Sequence, residues 1–201
     1  MATPLPVLEL GHPLLRRVCD PVGDALADPA LRGRAASLQA TLAAFRERHG
    51  FGRAIAAPQV GLPLRLVAMD LGGSAYPDGG SGPLLLVDPE VTWRSAETFT
   101  LWDDCMSFPW LLVRVRRHRS LSVRFRDGDG RERRWERVGP ALAELLQHEL
   151  DHLDGVLALD RAEASASGVD AVISRAGFEA DPDRFRSQVD GVADEPRIDA
   201  T

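Results

Sequence analysis

The sequence has no surplus of basic residues, few aromatic side chains and no long apolar run. Its formal net charge is -6 and its isoelectric point is about 5.4. This charge argues against a nucleic-acid-binding protein, because such proteins usually carry a basic face. No segment approaches the ~18 consecutive apolar residues of a membrane-spanning helix, and the N-terminus lacks the features of a secretion signal. We therefore expect a cytoplasmic protein with no membrane partner and no nucleic-acid specificity.

Cysteine is also scarce, which bears on the compartment. Cys19 and Cys105 are the two cysteines, and without a secretion signal, free thiols in a reducing compartment are a better expectation than a disulfide. The 201 residues suit one domain with a tail. We predict a catalytic domain over residues 1–165 and an extension over residues 166–201, with a short helix near residues 172–178 and a flexible end.

An amphipathic helix is predicted in the N-terminal third of the chain. Asp28 followed by Pro29 is a typical helix start, and Gly50 is a typical stop. Between them, apolar side chains recur at spacings of three and four, which indicates one buried face. These residues are Leu31, Ala35, Leu38, Leu42 and Phe45.

Strands are predicted between this helix and a second one. The predicted strands cover residues 64–69, 84–87, 91–98, 121–126 and 131–137. A turn is predicted at Asp88-Pro89, and the basic run over residues 114–119 is interpreted as the solvent side of a strand. Gly139-Pro140 is expected to begin the second helix and Gly155 to end it. This order of elements predicts an α+β fold.

The second helix carries the strongest local signal, His148-Glu149-Leu150-Asp151-His152. Side chains four positions apart project from one face of a helix, so His148 and His152 can bind one divalent metal. Glu149 can then act as general base on a water that the metal activates. The alternative is a helix whose histidines have ordinary core or surface partners. The location of the motif near the end of an amphipathic helix favours the metal site.

A catalytic metal of this kind needs a third protein ligand and one open position. Protease-like ligands downstream are weak candidates, because Ala158 stands where a third histidine would be, and neither Glu163 nor Glu179 is well placed. Cys105 is a better candidate, since it lies in a break between strands, residues 102–109, where a side chain can face a cleft. The alternative is a buried structural cysteine, the usual role of a lone cysteine.

Three segments, taken in order, resemble the motifs of peptide deformylases. Residues 52–61 resemble the family's first motif, a glycine- and alanine-rich stretch ending in Pro-Gln. Residues 103–107, Asp-Asp-Cys-Met-Ser, resemble the second motif, usually Glu-Gly-Cys-Leu-Ser, and residues 148–152 match the third. The resemblance covers residues 5–160 and implies antiparallel sheets wrapped around a central metal-binding helix.

The resemblance also implies a reaction and a cofactor. The reaction is removal of the N-formyl group from the N-terminal methionine of nascent polypeptides, so the partner is a formylated peptide, met during transient ribosome association. The cofactor is one divalent metal, Fe(II) in the cell, replaceable by Ni(II), Co(II) or Zn(II). The implied ligands are Cys105, His148 and His152.

Catalytic roles follow from the same resemblance. Glu149 would take a proton from water and pass it to the leaving amine. The side-chain amide of Gln59 and the backbone N–H of Met106 would stabilise the developing oxyanion. Taken alone, Gln59 fits an ordinary turn residue after a proline.

The chain departs from the family pattern where the substrate is expected to bind. The expected substrate-binding residues are Gly52, Arg53, Ala54, Asp104 and Glu144. Ala54 and Asp104 stand where the family has glycine, and Arg53 and Glu144 replace aliphatic residues near the methionine pocket. Three alternatives follow: a divergent amidase with another acyl-amide substrate, a catalytically weak binding relative, or ordinary deformylation with Arg53 and Glu144 pointing to solvent.

Overall fold

A computed structural model describes residues 2–164 and 170–190 of the chain. Within these residues the helices are α1 (Pro29–His49), α2 (Pro140–Leu153), α3 (Arg175–Ala180) and α4 (Pro182–Arg186). The strands are β1 (Ala54–Ala56), β2 (Leu66–Met69), β3 (Leu84–Arg94), β4 (Thr98–Asp104), β5 (Leu111–His118), β6 (Leu121–Arg126), β7 (Glu132–Val138) and β8 (Val172–Ser174). Across this part of the chain, no helix is both long and apolar enough to cross a bilayer.

The larger sheet has the order β1-β2-β3-β6-β7, with every neighbouring pair antiparallel. Its side chains alternate between two apolar clusters, as the period of a strand requires. Ile55, Leu66 and Ala68 pack in one cluster with the apolar stripe of α1. Their strand neighbours Ala54 and Met69 pack in the other cluster, with α2. The sheet therefore lies between the two long helices.

Helix α1 begins and ends where the sequence predicts. The Asp28 side chain caps it by accepting a hydrogen bond of 2.9 Å from the backbone N–H of Ala30, and Pro29 occupies the first turn. Gly50 ends it in the left-handed conformation, with φ +76°. The predicted apolar residues form its buried face, which confirms the interpretation of the periodicity.

The smaller sheet has the order β4-β5-β8, and Cys105 lies at the end of its β4–β5 pair. The ladder between β4 and β5 runs without interruption to the pair Asp104 and Leu112. Cys105 is the first residue beyond that ladder, where the chain turns and Phe108 donates its N–H to the Cys105 carbonyl. The predicted break between strands is therefore present, and it places the thiol at the end of β4.

Three predictions of secondary structure are wrong. Residues 84–87 and 91–94 belong to one strand, because the Asp88-Pro89 segment is a bulge with Asp88 at φ +50° rather than a turn. The strand predicted over residues 91–98 ends at Arg94, and Thr98 begins a strand of the other sheet. The Asp88 carboxylate stabilises the bulge by accepting hydrogen bonds from the N–H groups of Val22 and Gly23. Residues 172–174 are a strand paired with β5, so the helix predicted near residues 172–178 begins only at Arg175. The predicted flexible end lies largely outside the described residues.

The basic run of β5 is also different from its prediction. Arg117 is 4% exposed and Arg114 is 8% exposed, whereas Arg116 is exposed and pairs with Glu163. Arg117 points inward like Val113 and Val115, and its buried charge is compensated because it pairs with the carboxylates of Asp103 and Asp151. The run is therefore only in part the solvent side of a strand.

Candidate functional site

The three predicted metal ligands lie together in the protein interior. His148 and His152 project from one face of α2, with their Nε2 atoms 3.2 Å apart. The Sγ atom of Cys105 lies 3.3 Å from Nε2 of His152. All three ligand atoms fall within 4.8 Å of one another, and all three residues are buried. Neither Glu163 nor Glu179 belongs to this cluster.

The spacing of these atoms fits one tetrahedral metal ion. Bonds of ~2.0–2.1 Å to nitrogen and ~2.3 Å to sulfur separate neighbouring ligand atoms by roughly 3.3 to 3.6 Å. Two of the three observed separations, 3.2 and 3.3 Å, are close to that range, and the third, from Cys105 to His148, is within 4.8 Å. A thiolate and two imidazoles suit zinc, ferrous iron, nickel or cobalt rather than calcium or magnesium. The donor set therefore fits a transition metal with one position left open.

A carboxylate lies behind the first histidine. Oδ1 of Asp103 is 2.9 Å from Nδ1 of His148, at ion-pair distance, although the N–H does not point directly at it. The other Asp103 oxygen accepts a hydrogen bond of 3.0 Å from Arg117, which also pairs with Asp151. Such outer contacts fix the ring orientation and raise the basicity of a metal-binding histidine. Sequence reasoning missed the role of Arg117, which the alternation of β5 could have indicated.

Burial and neighbouring charges shift the pKa values of the three clustered side chains. Burial acts to lower the pKa of His148, but Asp103 outweighs it and holds that pKa well above its usual value. Burial and the adjacent His148 hold the pKa of His152 well below its usual value. Burial raises the pKa of the Cys105 thiol, so binding of a metal there releases a proton.

Glu149 has the environment of a general base. The residue is 3% exposed, and within residues 2–164 and 170–190 its Oε2 atom has no hydrogen-bond partner. Burial, with Asp103 and Glu144 adding to it against the opposing charge of His148, raises the pKa of Glu149 to about 7. A carboxylate with a pKa near neutrality can both take and return a proton during one reaction.

Gln59 is oriented toward the same point. Its Oε1 atom accepts a hydrogen bond of 2.9 Å from the N–H of Ala56, which determines the direction of the amide. Its Nε2 atom then lies 3.6 Å from Sγ of Cys105 and 3.2 Å from Oγ of Ser107. The side chain is 1% exposed, so Gln59 is a preoriented donor rather than an ordinary turn residue.

A cleft of about 740 Å³ opens beside this cluster. Of the predicted catalytic and substrate-binding residues, Gly52, Arg53, Ala54, Gln59, Asp104, Met106, Glu144 and Glu149 line it. Cys105 and His152 lie buried at 2% and 1% exposure and do not line it. Arg53 and Glu144 form an ion pair in the cleft, which contradicts the interpretation that they point to solvent.

The segment after residue 170 supplies another wall of the cleft, which sequence reasoning did not predict. Arg175, Phe178 and Glu179 line the cleft. The Arg175 guanidinium binds Oδ2 of Asp104 at 2.8 Å and stacks 4.1 Å from the ring centre of Phe51. Asp104 lies in a regular strand, so its replacement of a family glycine involves no positive φ. Its charge is instead used to attach the C-terminal segment.

Comparisons with known proteins agree with this geometry. The Polypeptide deformylase family matches residues 4–167. The peptide deformylase of Bartonella tribocorum is 36% identical over 154 residues, which is 77% of this chain and 82% of that protein.

Solved structures give the same result. The Synechococcus elongatus peptide deformylase in complex with actinonin matches with a TM-score of 0.69 and 31% identity, over 81% of this chain and 83% of that one. The Met-Ala-Ser bound peptide deformylase of Acinetobacter baumannii matches with a TM-score of 0.68 and 28% identity, over 80% of this chain and 99% of that one. These matches confirm the expected α+β fold. The chain therefore belongs to the polypeptide deformylase family of metal-dependent hydrolases, which remove the formyl group from the N-terminus of polypeptides.

Proposed function

We propose that this hydrolase acts on the N-terminal formyl-methionine of nascent polypeptides through Cys105, His148 and His152 as metal ligands and Glu149 as general base. The observation that carries the proposal is the approach of one thiol and two imidazoles to within 4.8 Å, beside a buried carboxylate in an open cleft. The Met-Ala-Ser peptide of the Acinetobacter baumannii structure supports a peptide with methionine first.

We also propose which metal is bound and where in the cell the reaction takes place. Fe(II) is the metal in the cell, and Ni(II), Co(II) or Zn(II) can replace it, because a thiolate and two imidazoles suit all of these ions. The reaction takes place in the cytoplasm, on chains met during transient ribosome association. Once bound, a divalent metal supplies Lewis acidity, which polarises the formyl oxygen and lowers the pKa of water.

Glu149 carries the proton through the reaction. Its Oε2 atom, which has no hydrogen-bond partner in the described part of the chain, accepts a proton from the water that attacks the formyl carbon. The carbon–nitrogen bond then breaks and Glu149 returns the proton to the leaving amine, so the products are the free amine and formic acid, which ionises to formate. The pKa of about 7 suits both halves of this transfer at neutral pH.

Gln59 and Met106 stabilise the charge that develops on the formyl oxygen. The Nε2 donor of Gln59 already faces the cluster, because Ala56 holds the other end of the amide. The backbone N–H of Met106 follows directly after Cys105 and is the second donor. Preoriented donors of this kind each contribute ~3 kcal/mol to the stability of the transition state.

Formate release from formyl-Met-Ala-Ser tests the proposal. The protein is purified and loaded with Fe(II) or Ni(II) without oxygen, since a ferrous thiolate site is sensitive to oxidation. We expect formate from the wild type and a loss in kcat of about 100-fold or more in Glu149→Gln with metal content unchanged. Cys105→Ala is expected to lose the metal and the activity together.

Glu97→Gln is the matched control. It removes a surface carboxylate that is 72% exposed and lies outside the cleft, so its activity is expected to equal that of the wild type. Formate release that survives in Glu149→Gln contradicts the assigned base. Stoichiometric metal in the wild type without any formate contradicts the proposed reaction.

A further inference from the structure

Two residues of opposite charge form one wall of the cleft beside the metal cluster. Arg53 donates one hydrogen bond to Oε1 of Glu144 and another, of 3.1 Å, to the carbonyl of Ala141. The Glu144 side chain is 4% exposed and that of Arg53 is 28% exposed. Both line the same cleft as Glu149, so a substrate that reaches Glu149 also lies near the pair.

The location of the pair matches the reach of a substrate side chain. Glu144 precedes His148 by one turn of α2, a rise of ~5.4 Å along the helix. The side chain of a formylated residue begins only two bonds beyond the formyl carbon, at Cα. When the formyl carbon is beside Glu149, the side chain of that first residue can therefore extend to Glu144.

An apolar side chain is a poor fit to this wall. It would remove water from a buried carboxylate and a guanidinium without replacing their hydrogen bonds. Within residues 2–164 and 170–190, the side-chain hydrogen bond of Glu144 runs through Oε1, so Oε2 can accept one from a bound group. A side chain that ends in N–H donors satisfies that oxygen.

The balance of charges that line the cleft also favours a side chain with hydrogen-bond donors. Its lining carboxylates outnumber its lining guanidinium groups, and each lining arginine already pairs with one carboxylate. Of the remaining lining carboxylates, Asp103 pairs with Arg117, which does not line the cleft, and the others are Glu149 and Glu179. Such a surface favours a substrate side chain that carries hydrogen-bond donors and disfavours one that carries a carboxylate.

We propose that the Arg53–Glu144 pair is a polar subsite for the side chain of the substrate's first residue. The subsite prefers a side chain ending in hydrogen-bond donors, such as glutamine, over an apolar side chain of equal length, such as norleucine. Methionine falls between the two, because its sulfur is a weak acceptor. The inference rests on the proposed function, since it assumes a formylated peptide with its formyl group at Glu149.

Binding of unformylated tripeptides tests the subsite without relying on catalysis. The full-length protein loaded with Zn(II) is titrated by calorimetry with Gln-Ala-Ser, norleucyl-Ala-Ser and Glu-Ala-Ser. We expect the glutamine peptide to bind at least tenfold more tightly than the norleucine peptide, and the glutamate peptide to bind most weakly. Equal affinities, tighter binding of norleucine, or no binding of the glutamine peptide overturns the proposal.

A double variant tests whether the pair is responsible. Arg53→Ile with Glu144→Ile removes both charges at once, because removing one would leave the other buried and unpaired. We expect it to bind norleucyl-Ala-Ser at least tenfold more tightly than Gln-Ala-Ser. An unchanged order in a folded double variant overturns the proposal. If this variant does not fold, Arg53→Gln with Glu144→Gln replaces it and is expected to reduce the preference for glutamine over norleucine at least threefold.

Arg116→Gln with Glu163→Gln is the matched control, because it removes an exposed ion pair outside the cleft. Its order of affinities is expected to equal that of the wild type. Formate release from the formylated tripeptides separates the two proposals. If formate is released and the norleucine peptide binds as tightly as the glutamine peptide, the proposed reaction stands and the proposed subsite is contradicted. If the affinities follow the expected order but no formylated peptide releases formate, the proposed subsite stands and the proposed reaction is contradicted.

Discussion

Oδ1 of Asp103 lies 2.9 Å from Nδ1 of His148, on the opposite edge of the ring from the Nε2 atom that approaches His152. The contact joins the C-terminal end of β4 to the first residue of the histidine motif on α2, and Arg117 donates a hydrogen bond to the other oxygen of the carboxylate. Burial opposes the ionised form, yet His148 and Arg117 hold the pKa of Asp103 well below its usual range. Asp103 therefore orients the ring of His148, one of the proposed metal ligands.

Asp103→Asn is expected to weaken metal binding. The amide keeps the shape of the side chain but loses the charge that orients His148 and increases its basicity, so the metal dissociation constant should rise about 10- to 100-fold. Competition with a chromogenic chelator measures this constant. Asp129→Asn, at an exposed position, is the control. An unchanged constant in a correctly folded Asp103→Asn protein would show that the contact with His148 has no role in metal binding.

Arg175→Ala is expected to reduce catalytic efficiency by loosening the C-terminal wall of the cleft. The change removes the hydrogen bond to Asp104 and the stacking on Phe51. We expect kcat/KM for formyl-Met-Ala-Ser to fall by about tenfold, mainly through KM, because the metal ligands and Glu149 are untouched. Arg134→Ala, at an exposed position on β7 outside the cleft, serves as the control. Equal KM values in both variants would rule out a role for this wall in substrate binding.

The single tyrosine of the chain permits a direct titration. Tyr76 is 5% exposed, and its hydroxyl donates a hydrogen bond of 2.7 Å to the carbonyl of Gly82 and lies 3.2 Å from the carbonyl oxygen of Met69. Burial, with Asp70 adding to it, raises the pKa of Tyr76 to about 12. Absorbance at ~295 nm should therefore rise with a midpoint near pH 12 in the folded protein, against ~10 for a free tyrosine.

The same shift predicts a loss of stability at alkaline pH. The folded state holds the tyrosine proton more tightly than the unfolded state, so this contribution is complete below pH ~10 and is lost as the pH rises towards 12. Urea unfolding between pH 9 and 11.5 measures the slope, and Tyr76→Phe should make it shallower. A folded-state midpoint near pH 10 would contradict the burial of this hydroxyl.

Two glycine substitutions are expected to have opposite effects. Gly155, at φ +71°, lies two residues beyond the end of α2, and a Cβ atom there would lie 2.5 Å from the carbonyl oxygen of Arg16. Gly155→Ala should therefore lower the free energy of unfolding by ~2 kcal/mol or more. Gly33 lies inside α1 with no atom near its Cβ position, so Gly33→Ala should raise that energy by ~0.5–1 kcal/mol. Thermal or urea unfolding measures both; equal effects would contradict the packing at Gly155.

Features with a short repeat were predictable from the sequence. The stripe of α1, the alternation of β6 and the facing histidines of α2 all depend on residues a few positions apart, for which backbone geometry determines the face. The Asp88-Pro89 segment shows the limit of such reasoning. Its composition predicts a turn, but pairing with β2 and β6 on either side keeps it within one strand.

The two long helices, the histidine motif on α2 and the family resemblance that indicates Cys105 were therefore all predictable from short stretches of the sequence. Three contacts were not, and they depend on tertiary packing: Asp103 with His148, Arg53 with Glu144, and Arg175 with Asp104. These contacts join residues 45, 91 and 71 positions apart. No local periodicity records such pairs, because they depend on how the two sheets and the C-terminal segment pack around α2.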